Sequence, residues 1–324
     1  MVTEAEVSWT TADIPDLSGK VAVVTGANGG LGLVVARELA RKGAHVVMAA
    51  RDAEKAERAR VDILREVPTA SLELQDLDLA SLDSVRAAAT RILAAHRTID
   101  VLVNNAGVMG IPERRTVDGF EMQLGTNHLG HFALTALLLP ALLRSPRARV
   151  VSVTSTGRHL GRRLDPEDPH LRERYDPWRA YGQSKLANVH FALELERRFR
   201  EAGATAQSLV VHPGFTYTDL QARSVRETGG GRSQRFWHEV VHRTGMSPAR
   251  GALSLLRAAT DPTLEGDRLY TPRFVNLGAP VRRPLVGRSR SRSAMRTLWE
   301  VSERETGIRF DVASALVDVR RSQR

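Results

Sequence analysis

Short apolar, β-branched runs alternate with longer stretches of helical spacing through most of this chain. Residues 20–25 form such a run and stop at a glycine-rich turn, and residues 31–41 then repeat apolar positions at the helical period. A second short apolar run covers 45–49, followed by a charged helix beginning near Ala53. Residues 72–77 alternate apolar and polar, residues 82–96 return to helical spacing, and 99–103, 150–154 and 208–211 read as further buried strands. Strands alternating with helices of this length predict parallel βαβ units. The expected fold class is therefore α/β: a single domain with a doubly wound parallel β-sheet flanked by helices.

The pattern also sets provisional boundaries. Residues 1–17 form an N-terminal arm, and the α/β domain is expected over 18–280 with a substrate loop at about 219–246. A basic C-terminal extension, 281–324, is expected to pack on the same domain. Residues 158–179 are polar, charged and proline-containing, as a long surface excursion would be, and 280–292 reads as an irregular basic segment. The glycines at 229–231 mark a loop before Phe236 and Trp237, which with Met246 line a substrate lid or form a small satellite core. Trp178 either lines the pocket or packs beneath its loop.

Composition narrows the classes. At 42% hydrophobic residues the chain can bury a sizeable core and is not disordered. It has no cysteine, which excludes disulfides, thiolate catalysis and cysteine-ligated metal. Glu4 and Glu6 stand where a signal peptide would be apolar, and the longest apolar run, 132–143, is interrupted by Thr135 and Pro140. No membrane partner is expected, and the reading is a soluble cytoplasmic protein. The net charge is +10, and residues 282–296 hold six arginines without an acid. Nucleic acid remains an unfavoured partner because no aromatic residues interleave the arginines; a solvated face, or steering of an anionic cofactor, serves equally.

Two segments carry chemistry. The turn Thr25-Gly26-Ala27-Asn28-Gly29-Gly30-Leu31-Gly32 follows a strand and opens a helix, the setting in which backbone amides approach a pyrophosphate. Arg51 ends the second strand, where a guanidinium suits a ribose 2′-phosphate and a carboxylate would suit a free 2′-hydroxyl. NADP(H) is therefore expected, with NAD less favoured, although Asp52 follows immediately and Arg51 also fits as an exposed helix start. Asn104-Asn105-Ala106-Gly107 closes the fourth strand with small residues that let a ligand approach backbone, or forms a plain turn. Asp78 and Leu79 either touch the adenine or, for Asp78, cap a helix. Far downstream, Tyr181 and Lys185 stand at i and i+4 and share one helix face. A nearby ammonium is expected to lower the phenol's pKa, so that Tyr181 can exchange a proton with an oxygen that develops alkoxide character, while Ser155 donates a second hydrogen bond.

As a set these segments resemble the short-chain dehydrogenase/reductase family. The matching pieces, in family order over about residues 18–260, are Thr25-Gly26-x-x-x-Gly30-x-Gly32, Asn104-Asn105-Ala106-Gly107, Asn127, Ser155, Tyr181-x-x-x-Lys185 and Pro213-Gly214-x-x-x-Thr218. The resemblance implies a single Rossmann-type domain with Asn127, Ser155, Tyr181 and Lys185 as a catalytic tetrad, the asparagine supporting a water and the lysine's proton relay. It also implies cofactor contacts from Gly26, Asn28, Gly30, Leu31, Gly32, Arg51, Asp78, Leu79, Asn105, Ala106, Gly107, Tyr181 and Lys185. Pro213, Gly214, Thr216 and Thr218 would lie beside the nicotinamide. The stretches Asn127-His128-Leu129-Gly130-His131-Phe132 and 180–188 are similar to retinol dehydrogenase and protochlorophyllide reductase-like members.

The expected function is an NADP(H)-dependent oxidoreductase of ketoreductase type, moving hydride between nicotinamide and a small-molecule carbonyl or alcohol. Reduction of a carbon–carbon double bond is the alternative within that chemistry, and a non-catalytic dinucleotide-binding regulatory or scaffold protein the alternative outside it. Homo-oligomerisation stays open, since family members often pair through their long helices. No metal site is expected. His128, His131 and His212 lack matching ligand spacing and read as structural, and His159 and His170 read as exposed.

Overall fold

The computed structural model describes residues 9–216 and 245–322. Thr218, Phe236, Trp237, the 229–231 glycines and most of the 219–246 loop lie outside the described residues.

Eight strands build one sheet: β1 (Val21–Thr25), β2 (His45–Ala50), β3 (Ser71–Asp76), β4 (Val101–Asn104), β5 (Arg149–Val153), β6 (Gln207–Val211), β7 (Leu269–Pro272) and β8 (Pro280–Arg283). Their order is β3-β2-β1-β4-β5-β6-β7-β8. The first seven run parallel, and β8 returns antiparallel on β7. The strands β1, β4, β5 and β6 are buried almost throughout, which is why they read as unbroken apolar runs. The order reverses between β1 and β4, and that point opens a crevice beyond their carboxyl ends.

Helices cover both faces: α1 (Gly30–Arg41), α2 (Ala53–Glu66), α3 (Leu82–Ala95), a short α4 (Met122–Leu124), α5 (Gly130–Arg144), α6 (Pro177–Ala202), α7 (Pro248–Thr260), α8 (Arg292–Thr306) and α9 (Val312–Arg321). One core lies between the sheet and α1 and α7, around Val35, Leu39, Leu255 and Tyr270. The other lies beneath α3, α5 and α6 and is closed by α8 and α9, where Phe132, Phe191, Trp299 and Phe310 pack their rings together. Such aromatic clustering explains how a strongly basic C-terminal region attaches: its arginines face outward while one apolar stripe is buried.

Three expectations change here. The 280–292 segment is not irregular throughout, because it opens as the antiparallel edge strand β8, with Pro280 at its first position where a missing amide is tolerated. The 158–179 excursion is shorter than expected. It begins with a single 3-10 turn at Thr156–His159 and gives way at Pro177 to α6, which Asp176 caps by accepting from Arg179 N. Within it, His170 is buried rather than exposed. Its ring stacks on Phe120 at 5.5 Å, Nδ1 accepts from Glu121 N at 3.2 Å, and Nε2 meets Glu305 at 3.0 Å. His159 is exposed.

Candidate active site

The glycine turn sits at the crevice, and its geometry demands glycine. Gly26 has φ +67 and Gly30 has φ +53, both left-handed. A Cβ on Gly32 would stand 2.2 Å from the Gly26 carbonyl oxygen and 2.7 Å from Asn105 Nδ2, so α1 can approach the β1 turn this closely only without a side chain there. The N-cap of α1, Gly29, offers no side-chain hydrogen bond to the first turn. By contrast α2, α3, α6, α7, α8 and α9 are each capped by a Ser or Asp side chain. The first amides of α1 therefore have no internal acceptor and face the crevice, an arrangement suited to an anion.

Thr25 ties this turn to the end of β4. Its hydroxyl oxygen accepts from Asn105 N at 2.9 Å and Ala106 N at 3.0 Å, and Asn105 Nδ2 donates to Thr25 O at 2.8 Å. Behind them stands His131, with Nδ1 at 3.0 Å from the Asn127 carbonyl and Nε2 at 2.9 Å from Thr25 Oγ1. A carbonyl only accepts, so Nδ1 carries the proton and Nε2 accepts from Thr25. Burial pushes the His131 pKa down to about 4, which keeps that tautomer neutral. His131 is thus structural, as are His128 (bonded to Ser302 Oγ at 2.8 Å) and His212 (3.3 Å from Asn276 Oδ1).

At the tip of β2, Arg51 is more than half exposed and its Nη1 lies 3.7 Å from Asp78 Oδ2. Asp52, which left the cofactor reading open, accepts from Lys55 N at 2.9 Å as the α2 cap. A residue unread in the sequence joins Arg51: a Cβ at Gly29 would meet Lys55 Nζ at 3.3 Å, so a second cation lies against the glycine turn. Its signal, a lysine one turn into α2, is too common to single out. Asp78 does not cap α3. It accepts from Ala80 N within its own loop, and Ser81 is the cap. The Leu79 side chain is buried in the core, with Gly130 pressed against its carbonyl, so contact with an adenine would come from its backbone or neighbours.

Asn127 lies in a π-helical turn, Gly125–Leu129, between α4 and α5. Its amide grips the loop after β4 from both sides, accepting from Val108 N at 2.8 Å and donating to Val108 O at 2.9 Å. Nδ2 also donates to Ser184 Oγ on α6 at 2.9 Å. A Cβ on Gly107 would fall 2.8 Å from Asn127 Oδ1 and 3.5 Å from Lys185 Nζ, which brings the β4 loop, α6 and Asn127 to one place.

Tyr181 and Lys185 point from the buried face of α6, each 5% exposed. Ser155 follows β5 and caps the next turn by accepting from Gly157 N at 3.1 Å. A Cβ on Gly157 would sit 2.6 Å from Tyr181 Cε1, so that glycine makes room for the ring. Trp178 meets Tyr181 edge to face at 6.2 Å. Thr154 Oγ1 donates to the Lys185 carbonyl at 2.6 Å and fixes α6 against β5. Lys185 Nζ donates to Val153 O at 3.3 Å and lies 5.9 Å from the Tyr181 ring centre.

The electrostatics depart from expectation. Burial raises the Tyr181 pKa and the Ser155 hydrogen bond only partly opposes it, while burial pushes Lys185 down to about 8. The physical reason is that both groups have left water, which disfavours the phenolate and the ammonium alike. A neutral Tyr181 phenol is able to donate a proton.

Of the remaining sites, Pro213 is buried, Gly214 has φ +79, and Thr216 Oγ1 donates to Pro213 O at 3.2 Å at the end of β6. Among the described residues no helix is long and apolar enough to cross a membrane. Part of the arginine-rich segment is engaged internally: Arg288 donates to Gly161 and His159 carbonyls, and Arg290 pairs with Asp267 at 2.6 Å.

Comparison with known proteins agrees with this layout. The profile of the short chain dehydrogenase family matches residues 20–229. Human retinol dehydrogenase 13 is 45% identical over 205 residues, 63% of this chain and 61% of that protein, so the match spans less than two thirds of that relative's length. Mouse polyprenol dehydrogenase is 40% identical over 300 residues, 91% of this chain and 86% of that protein. An uncharacterised protein from Mycobacterium paratuberculosis has a similar structure, with a TM-score of 0.76 and 41% identity over 94% of this chain and 99% of that one. A Beutenbergia cavernae protein assigned as an NAD(P)-dependent gluconate 5-dehydrogenase, solved with NADP at low occupancy, gives a TM-score of 0.58 and 25% identity over 76% of this chain and 91% of that one. Fold, motif order and sequence likeness converge on one statement: the chain belongs to the short chain dehydrogenase family, and within it resembles the retinol dehydrogenases.

Proposed function

We propose that this protein is an NADP(H)-dependent oxidoreductase that reduces an apolar aldehyde or ketone to the alcohol, with Tyr181 as the proton donor. The observation that carries the reading is the meeting of Tyr181, Lys185 and Asn127 at the crevice where a glycine cradle and a row of unpartnered helix amides face outward. The residues present fit a dinucleotide. Gly26, Gly30 and Gly32 leave the room that a pyrophosphate needs, and the α1 amides would bind it. Arg51 at the tip of β2 and Lys55 beside Gly29 would be the two cations to meet a 2′-phosphate, with Asp52 accepting as the α2 cap and Asp78 standing 3.7 Å from Arg51. That balance favours NADP over NAD, and the NADP-bound relative supports it.

Bound NADPH would supply hydride to the carbonyl carbon. The chain's own residues do the rest. The neutral Tyr181 hydroxyl gives its proton to the substrate oxygen, and Ser155 donates a hydrogen bond to the same atom. Lys185 would hold the ribose, and its ammonium, which stands beside Gly107 together with the Asn127 amide, would return a proton to Tyr181 through bound solvent. The neutral phenol is the form that donates a proton when the carbonyl is reduced. The relatives named for retinol and polyprenol suggest a long apolar substrate. Loss of NADPH absorbance with retinaldehyde, a polyprenal and simple ketones, followed by product identification, tests the proposal. An alcohol product supports it, a saturated carbonyl product would assign carbon–carbon double-bond reduction, and tight NADPH binding without turnover on any of them would leave a binding protein.

A further inference from the structure

Three side chains far apart in sequence converge away from the crevice, toward the amino end of β2. His45 opens β2, Glu73 lies on the edge strand β3, and His96 caps the C-terminus of α3. Their donor atoms all lie within 4.8 Å of one another. Glu73 Oε2 stands 3.3 Å from His45 Nε2 and 2.8 Å from His96 Nε2, and the two rings are 5.0 Å apart. From these positions we infer that His45, Glu73 and His96 form a structural site for a divalent first-row transition ion of the zinc class.

The geometry suits such an ion. Tetrahedral zinc with bonds of about 2.1 Å separates its ligand atoms by about 3.4 Å. The His45–Glu73 pair already has that spacing, and the His96–Glu73 pair needs to open by only about half an ångström. Two imidazoles and one carboxylate are the donors that zinc, cobalt and nickel accept, and this chain has no thiolate to compete. An outer hydrogen bond is in place as well: Ser71, which pairs with His45 in the ladder, puts its hydroxyl 2.7 Å from His45 Nδ1. That contact orients the ring and leaves Nε2 for the ion. Backbone bonds hold the ligands independently, His45 N to Lys20 O at 2.9 Å and His96 N to Ile92 O at 2.8 Å. The side chains are 30%, 33% and 13% exposed for His45, Glu73 and His96, which leaves the fourth position open to water. An ion here would tie the exposed edge of the sheet to α3. It would take no part in hydride transfer, because β2 begins here and reaches the cofactor crevice only at its other end.

The test uses the full chain freed of any histidine tag and stripped with EDTA. Equilibrium dialysis against about 100 µM Zn2+ should leave one ion per chain and raise Tm by about 4 °C. Co2+ in its place should give intense visible bands of a four-coordinate site. Both effects should disappear in Glu73→Gln and in His96→Gln, with NADPH affinity unchanged. Should His96→Gln fail to fold, Glu73→Gln, which keeps the shape of the side chain, decides with the wild-type stoichiometry. Absence of bound zinc in the wild type would overturn the inference and leave a hydrogen-bonded cluster, and full binding in Glu73→Gln would overturn it too.

Discussion

Replacing Lys185 by methionine should make the cofactor-free protein more stable while abolishing its chemistry. The ammonium is buried and, among the described residues, has one hydrogen bond, to Val153 O. Burial lowers its pKa from 10.5 to about 8, a difference that corresponds to about 3 kcal/mol held against the folded state at neutral pH. Methionine keeps the length of the stem and removes the charge. Val153 O keeps a partner in Asn188 Nδ2 at 2.9 Å, so the lost hydrogen bond costs about 1 kcal/mol. The net gain is about 2 kcal/mol, or about 3 °C in Tm for a chain of this size. The pH dependence has a definite sign. Between about 8 and 10.5 the folded protein has released this proton and the unfolded chain still binds it, so the wild type gains stability as pH rises through that window. Below about 8 the full burial cost stays in place, so the advantage of Lys185→Met is largest near neutrality and shrinks toward pH 10. Differential scanning fluorimetry at several pH values measures the gap. NADPH should narrow it, because the wild type regains ribose contacts that the variant lacks. A Tm for Lys185→Met at or below that of the wild type at pH 7 would refute the burial argument.

Two further substitutions examine the cofactor site. Gly32→Ala sets a methyl against the Gly26 carbonyl and against Asn105, which Thr25 holds, and should cost about 2 kcal/mol of stability together with most NADPH binding, read by thermal melts and fluorescence titration. Arg51→Asp should lower the NADP/NAD ratio of kcat/KM by about tenfold, the worth of one charge-assisted hydrogen bond, and an unaltered ratio would assign the 2′-phosphate to Lys55 alone.

Much of this architecture is legible in the sequence because parallel strands buried on both faces are written as continuous apolar runs, and β1, β2, β4, β5 and β6 are of that kind. β7 and β8 are four residues each and include Thr271, Pro272 and two arginines, too little pattern to read. The burial of His170 is equally hidden. Phe120, Glu121 and Glu305, which enclose it, are separated from it by dozens of residues, and nothing local distinguishes it from the exposed His159. Motif residues were found because the glycine turn and the Tyr181–Lys185 pair are each local. The charge state was not, because the phenol's surroundings come from Gly157, Ser155 and Trp178 on other segments and only their packing reveals how dry the site is. Lys55 and the trio His45, Glu73 and His96 belong to the same class, visible only once separate elements are brought together.

Transfer of label tests the central proposal most directly. NADPH carrying deuterium at both C4 positions is mixed with retinaldehyde or the best carbonyl of the panel, and the alcohol is analysed by mass spectrometry, in parallel for the wild type and Tyr181→Phe at matched NADPH occupancy. We expect one deuterium on the carbinol carbon with the wild type, and a rate at least about a hundredfold lower with the variant despite unchanged cofactor affinity. Unlabelled alcohol, or a Tyr181→Phe rate near that of the wild type, would contradict hydride transfer with this phenol as the proton donor.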